Sequence, residues 1–256
     1  MKGEFSGTGD PARSMALLWP GSQPATRRSP GPEPGRSVAE IVRTAIELAD
    51  TEGLGAVSMR RVAQRLGLGT MSLYTYIPAK GELLDVMLDA VYGEVVSPVD
   101  GPGWRKRLEN LARDNWALYR RHPWLLHVAT GRPPMGPNLI AKYERELAAV
   151  EGVGLSDVEM DSVITLVNGF VHGAARGAAE ARAVVAQTGL TDAQWWAAMA
   201  PYLDKVFDPT AFPLASRVGS AAGEQHGAAY DFEHAFEFGL ARLLDGVEAL
   251  IEQPRR

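Results

Sequence analysis

Cysteine is absent from the 256-residue sequence, so the chain offers neither disulfide bonds nor thiolate chemistry. No apolar run approaches the ~20 residues that a membrane-spanning helix requires. The longest apolar run near the N-terminus, residues 15–19, is shorter than the ~7–15-residue core of a signal peptide and ends at Pro20. These absences favour a protein of the reducing cytoplasm.

Common catalytic signatures are also missing. The sequence has no G-x-S-x-G, H-E-x-x-H or Walker A motif. Its five histidines lack metal-ligand spacing supported by carboxylates. Gly67 and Gly69 lie between predicted helices rather than after a strand, so they do not form a dinucleotide-binding turn. We therefore expect no enzyme, no cofactor and no metal, with a helical enzyme as a less favoured alternative.

Acidic residues are missing from one stretch, residues 53–81, which contains four basic residues: Arg60, Arg61, Arg65 and Lys80. Over residues 1–80, ten Lys and Arg accompany seven Asp and Glu, whereas residues 81–256 carry sixteen against twenty-four. The formal net charge of the whole chain is -5. This asymmetry predicts a polyanion-binding N-terminal part attached to an acidic body.

Helical periodicity runs along most of the chain, and no segment alternates with period two over strand length, so the sequence predicts an all-α fold. Residues 1–36 are rich in Gly, Pro, Ser and Arg and are predicted to be a disordered tail. Within it, Arg27 and Arg28 either contact DNA as a flexible arm or stay solvated. Helices are predicted over residues 38–52, 58–66, 70–77, 80–96, 104–121, 139–150, 158–185, 192–206 and 236–251, with a Pro/Gly/Ser-rich loop between the last two.

Residues 37–83 carry the pattern of a helix-turn-helix DNA-binding domain. Ala63 is small where two helices must approach closely, and Gly67 follows where the turn requires a positive φ. Leu73 is expected to point back into the three-helix core. Residues 84–256 are then expected to form a second domain.

The stretch GTMSLYTYIPAK, residues 69–80, is rich in hydroxyl groups and would be the helix that enters the major groove. Hydroxyls and cations at this position suit phosphate oxygens and base edges, whereas a helix that only packs does not need them. The predicted DNA contacts are Arg60, Thr70, Ser72, Tyr74, Tyr76 and Lys80.

The sequence VSMRRVAQRLGLGTMSLYTYIPAKGELLDVML resembles the DNA-binding domain of the TetR family of bacterial transcriptional repressors. The family pattern of a glycine turn, Leu-Tyr-x-aromatic and Lys-x-x-Leu-Leu is met at Leu73, Tyr74, Tyr76, Lys80, Leu83 and Leu84. The resemblance implies the same six operator contacts. Tyr76 departs from the His or Phe of many members, which leaves the base preference open.

The C-terminal part is similar to the tetracycline-repressor type of regulatory domain. The similarity is carried by RHPWL at 121–125, GRPPMGPN at 131–138, NGFVHG at 168–173 and FEFGLARLLDGVEALI at 236–251. It implies a homodimer in which helices 158–185 and 236–251 pair with their symmetry mates. Small residues that would permit close approach are Gly169, Gly173, Ala174 and Gly177.

The resemblance also implies a small-molecule effector site, for which the candidate residues are Trp116, His127, Arg132, Asn168 and His172. His172 is alternatively a core or interface histidine, with Arg176 pairing across the dimer. Trp195 and Trp196 either roof the pocket or cover the core.

Tetracycline with magnesium is not expected as the effector. The metal-binding histidine of the tetracycline repressor falls on Val128, and its partner glutamate falls near Gly177. A shift of one residue would bring His127 to the metal position instead. The Arg-Pro of the family turn is present at Arg132 and Pro133.

The sequence thus predicts a ligand-responsive repressor whose dimer reads a palindromic operator. An effector would move helix 80–96 and change the separation of the two reading helices, which must stay roughly 34–36 Å or a multiple apart. A DNA-binding architectural protein without an effector is the main alternative.

Overall fold

The computed structural model describes residues 4–21, 37–95, 101–228 and 230–253 of the chain. Helices dominate this part, which confirms the predicted all-α fold. The chain divides into two compact units, residues 1–168 and residues 169–256.

Among the described residues, the first unit contains two very short strands and most of the helices. Its elements are β1 (Glu4–Phe5), α1 (Pro11–Leu18), α2 (Val38–Glu52), a 3-10 turn (Leu54–Ala56), α3 (Met59–Leu66), α4 (Thr70–Tyr76), α5 (Lys80–Tyr92), α6 (Gly103–Arg121), a second 3-10 turn (Pro123–His127), β2 (Val128–Ala129), α7 (Pro137–Ala148) and the start of α8 (Asp157–Thr188). β1 and β2 pair in parallel.

The second unit comprises the remainder of α8 followed by α9 (Asp192–Val206), α10 (Pro213–His226) and α11 (Phe232–Ile251). Its core lies between α8 and α11, where the rings of Phe170 and Phe236 stack with centroids 5.9 Å apart. Leu240 and Leu244 are also buried there. By contrast, α9 and α10 contain no buried residue.

Local signals in the sequence determine where α2 begins and ends. The Ser37 hydroxyl accepts a hydrogen bond from the Glu40 amide at the start of α2, and Gly53, with φ of 82°, ends that helix. One face of α2 is buried at the predicted helical spacing: Ile41, Val42, Ala45, Leu48 and Ala49.

The predicted disordered tail is wrong for residues 4–21, which form β1 and α1. Asp10 caps α1 by accepting from the Arg13 amide, and Ser14 and Leu18 are buried. These residues gain their partners from α5 and β2, which lie far along the chain, so composition alone could not show that they are ordered. Arg27 and Arg28 lie outside the described residues.

Other parts of the structure also differ from prediction. Helix α5 ends at Tyr92 rather than near residue 96. The predicted loop after α9 contains α10, which begins at Pro213 and ends at His226, and the next residue, Gly227, adopts the left-handed conformation. Helix α10 is rich in Gly, Ser and Ala, and none of its residues is buried. Its sequence therefore has no apolar stripe from which a helix could be predicted. The β1–β2 pair is too short to show a period of two.

Candidate DNA-binding face and effector cavity

The turn between α3 and α4 has helix-turn-helix geometry. Gly67 adopts φ of 68° and ψ of 26°, and the Leu68 amide donates to the Ala63 carbonyl at 2.8 Å. Leu73 and Ile77 are fully buried, so they fix α4 against α2 and α3. The remaining positions of α4 are thereby turned outward.

The hydroxyl-bearing side chains of α4 differ in exposure. Ser72 and Tyr74 are exposed, whereas Thr70 is half-buried. Tyr76 is half-buried and packs against the apolar core, and the Thr75 hydroxyl donates to the Ser72 carbonyl of its own helix at 2.6 Å. Thr70, Ser72 and Tyr74 are therefore the α4 side chains best placed to reach a ligand in front of the helix.

Met71 also belongs to this face, although sequence reasoning did not select it. It is 79% exposed, the largest exposed fraction of any large apolar side chain in the DNA-binding helices α2 to α5. An apolar side chain this open, next to Thr70 and Ser72, suits contact with a thymine methyl group. The sequence feature that could have identified Met71 is its position between two predicted DNA contacts, Thr70 and Ser72.

Several basic residues of this region form ion pairs, although residues 53–81 contain no acidic residue. Glu52, one residue before that stretch, forms ion pairs with Arg61 at 2.5 Å and Arg65 at 2.8 Å. The Arg61 hydrogen bond lowers the pKa of the Glu52 carboxyl from its ordinary value. Lys80 pairs with Glu4 at 2.5 Å. Arg60 is exposed, and none of the described residues forms an ion pair with it.

A cavity of about 370 Å³ lies within the first unit, where the C-terminal end of α5 meets α6, α7, α8 and the loop after β2. This volume is in the usual range for a small-molecule site. Its lining combines aromatic, aliphatic and polar side chains: Tyr92, Tyr119, Thr130, Pro133, Met135, Leu139, Ile140, Lys142, Tyr143, Glu146 and Asn168.

A buried polar network forms one wall of this cavity. Lys142 forms an ion pair with Glu146, and both side chains are nearly inaccessible to solvent. Asn115 donates to Glu146 Oε1 at 3.1 Å, and Asn168 donates to Glu146 Oε2 at the same distance. The amide of Asn115 also donates to Asn168 Oδ1 at 2.9 Å. The network holds a charged pair and two amides in fixed orientations.

Two phenols face the same cavity and stay protonated at neutral pH. Burial, with a smaller effect from the Glu146 charge, raises the pKa of Tyr92 to about 12. Burial also raises the pKa of Tyr119 well above its ordinary value. Both hydroxyls are thus donors over the physiological range, and their rings provide flat apolar surface.

The predicted effector residues are not gathered at one place. Asn168 lines the cavity. Trp116 is buried in α6, whereas His127 and Arg132 are exposed. His172 belongs to the second unit, where burial, helped by the Arg176 charge, lowers its pKa. The sequence did not predict Tyr92, Tyr119 or the Lys142–Glu146 pair as site residues, because no motif marks them.

A larger cavity of about 720 Å³ lies between α1, α2 and α5. Three of its acidic groups have partners in the protein: Asp50 and Glu94 hold His122 at 2.8 Å and 3.1 Å, and Asp89 accepts from the Leu139 amide at 2.9 Å. These three carboxylates link separate elements, whereas Arg43 and Glu47, which also line the cavity, are exposed.

Neither a membrane-spanning helix nor a cluster of three potential metal ligands occurs within the described ranges.

Two sequence families match this chain. The family described as bacterial regulatory proteins, tetR family, matches residues 41–87, and the tetracyclin repressor-like C-terminal domain matches residues 97–251. The chain belongs to the TetR family. As a TetR-family regulator it is a DNA-binding, ligand-responsive transcriptional regulator that works as a homodimer, and it is not an enzyme.

Individual TetR-family relatives agree with this assignment. The chain is 46% identical to the HTH-type transcriptional repressor DrrR1 of Streptomyces coeruleorubidus over 254 residues, which is 98% of this chain and 91% of that protein. It is 24% identical to the class C tetracycline repressor of Escherichia coli over 216 residues, covering 82% of this chain and 90% of the repressor.

Solved TetR-family structures show the same fold. Apo ActR from Streptomyces coelicolor superimposes with a TM-score of 0.69 at 31% identity, covering 85% of this chain and 97% of ActR. ActR in complex with actinorhodin gives a TM-score of 0.68 at 30% identity, covering 85% and 99%. The resemblance of both ends of the chain to one family sets aside an architectural protein that lacks a regulatory domain.

Proposed function

We propose that this TetR-family chain is a repressor that places α4 in the major groove of each half of a palindromic operator. Its base and phosphate contacts would come from Arg60, Thr70, Ser72, Tyr74, Tyr76 and Lys80, with Met71 added. The arrangement of α4 supports this: its inner side is anchored by two fully buried residues while its outer side presents hydroxyls and one methionine.

The effector site that we propose is the 370 Å³ cavity. Two protonated phenols and aliphatic side chains suit a planar aromatic ring system, and the Lys142–Glu146 pair with Asn168 suits hydroxyl or carbonyl groups on that ring. The existence of an ActR complex with actinorhodin supports an organic ligand.

Helix α5 is the observation that carries the coupling between the two sites. Its first residue, Lys80, lies beside the DNA-binding helices, and its last, Tyr92, lines the cavity. The thirteen residues of α5 span roughly 20 Å as one helix. A ligand that displaces Tyr92 would therefore shift Lys80 and the reading helix. Coupling of only ~1–3 kcal/mol would change operator affinity about 5–150-fold.

The DNA-binding assignment is tested by selecting operator sequences from a random duplex library and measuring affinity by fluorescence anisotropy. Thr70→Ala combined with Tyr74→Ala should weaken binding to the selected site by at least tenfold, since it removes two contacts on α4. The control combines Ser220→Ala with Tyr202→Ala, which removes exposed hydroxyl groups from α10 and α9. Selection of no sequence by the wild-type chain would refute the repressor assignment.

The effector assignment is tested with actinorhodin and simple hydroxylated anthraquinones as probes, monitored by quenching of tryptophan fluorescence. Asn168→Leu should weaken binding at least tenfold, because it leaves Glu146 without one of its donors and removes a polar contact. Gln187→Leu, at an exposed position on α8, is the control. If the Asn168→Leu and Gln187→Leu variants bound the probes equally well, the ligand would bind outside this cavity.

We place this regulator in the cytoplasm, where the bacterial chromosome lies. The absence of cysteine suits that reducing compartment.

A further inference from the structure

The N-terminal strap, residues 4–10, lies outside both matched family regions and yet contacts the DNA-binding part and the regulatory part. Its first residues dock on β2: the Ser6 amide donates to the Ala129 carbonyl at 3.1 Å. The Ser6 hydroxyl donates to the Arg132 carbonyl at 2.7 Å. Since the DrrR1 match covers 98% of the chain, it includes most of this strap.

Docking of β1 brings a carboxylate to a predicted DNA contact. Glu4 Oε1 accepts from Lys80 Nζ at 2.5 Å, and each side chain is about one-third exposed. A phosphate oxygen of DNA would seek the same ammonium group. Glu4 therefore occupies the position at Lys80 that an operator phosphate would take.

The two ends of the strap are held by different parts of the first unit. From Gly7 onward it is fixed to buried carboxylates of α5, since the Gly7 amide donates to Asp85 at 3.0 Å and the Asp10 amide donates to Glu82 at 3.0 Å. Residues 4–6 are held instead by the two-residue strand pair and by the hydrogen bonds of Ser6 to Ala129 and Arg132. Residues 4–6 can therefore leave β2 while Gly7 and Asp10 stay bound to α5.

We propose that the strap is an autoinhibitory contact, in which docked β1 keeps Glu4 on Lys80 and operator binding requires its release. This inference rests on the proposed function, because it assumes that Lys80 contacts operator DNA. It makes Glu4 a competitor for phosphate within the same chain. Its docking strand, β2, leads directly into the loop that lines the effector cavity.

A reversible crosslink tests this directly in the full-length chain. Phe5 and Ala129 are paired across the two strands and are both exposed, so Phe5→Cys with Ala129→Cys places two thiols at disulfide distance. They are the only thiols, because the natural sequence has no cysteine. We expect the oxidised protein to bind the selected operator about two- to fivefold more weakly than the same protein after reduction.

Substitution of the competitor provides the second arm. Glu4→Gln should strengthen operator binding about two- to fivefold, the range available to an exposed ion pair. It should also steepen the salt dependence by about one unit, because Lys80 becomes free to neutralise a phosphate. Introduced into the crosslinked pair, it should abolish the difference between oxidised and reduced protein. Glu47→Gln on α2 is the control for the change in net charge.

The outcomes separate the two claims. If wild type binds the selected operator but oxidation and Glu4→Gln leave its affinity unchanged, the autoinhibitory strap is refuted and the repressor assignment stands. If Glu47→Gln strengthens binding as much as Glu4→Gln, the effect is one of overall charge and the strap is also refuted. If wild type selects no operator, both proposals fail.

Discussion

At the scale of single residues, Gly67 carries the turn between α3 and α4. Its φ of 68° is in the left-handed region, and a methyl group added there would meet no atom within 4 Å. Gly67→Ala should therefore cost only backbone strain, about 1–2 kcal/mol, and lower the melting temperature by about 2–8 °C. Gly55→Ala, equally open but without a positive φ, should change stability by less than about 1 kcal/mol. Equal melting temperatures for the two variants would contradict this explanation of the turn.

Tyr92 gives a prediction for alkaline pH. Burial raises its pKa to about 12 in the folded chain, whereas an unfolded tyrosine ionises near its ordinary value of 10.0. A raised pKa stabilises the folded state fully below the unfolded value, and that contribution is lost as pH rises toward 12. The free energy of unfolding in urea should thus fall between pH 10 and 12. Tyr92→Phe should make that fall shallower, and Tyr230→Phe, an exposed control, should leave it unchanged.

At the scale of elements, Asp89 joins α5 to α7. Helix α7 has no capping side chain of its own, and Asp89 accepts from the Leu139 and Asn138 amides at its start. Burial raises the pKa of Asp89, so its charge is costly while its hydrogen bonds are useful. Asp89→Ala should therefore lower the free energy of unfolding by about 1–3 kcal/mol. Asp89→Asn should cost less, as measured by urea denaturation. A loss for Asn as large as that for Ala would show that the charge itself matters.

The elements that could be predicted from sequence are those specified by neighbouring residues. Ser37, Ser58 and Gly67 mark α2 and α3 by their own hydrogen bonds and dihedral angles, so the DNA-binding helices were confirmed close to their predicted bounds. β1 and α1 depend on α5 and β2, more than seventy residues away, and no local pattern announces them. The cavity has the same origin, because Tyr92 and Lys142 meet only through tertiary packing.

At the scale of the whole molecule, the glycines of α8 divide into two groups within one subunit. A side chain at Gly177 would meet the ring of Phe232 at 2.9 Å, so that glycine serves packing inside the second unit. Gly169 and Gly173 are exposed, with no atom within 4 Å of an added methyl group. These two glycines are therefore the ones available for close approach of a symmetry mate.

Gly173→Leu separates the dimer from the subunit fold. Within one subunit the Cβ atom of the leucine would meet no described atom within 4 Å, and leucine replaces a poor helix former, so helicity should be kept or improved. Across a closely packed dimer interface the added side chain would overpack, costing about 1–3 kcal/mol or more. Sedimentation velocity should show a shift toward monomer, and operator affinity should fall with it because both half-sites must be held together. Gly219→Leu, the same change on α10, should stay dimeric. A Gly173→Leu variant that remained a dimer with unchanged operator affinity would move the subunit interface away from this face of α8.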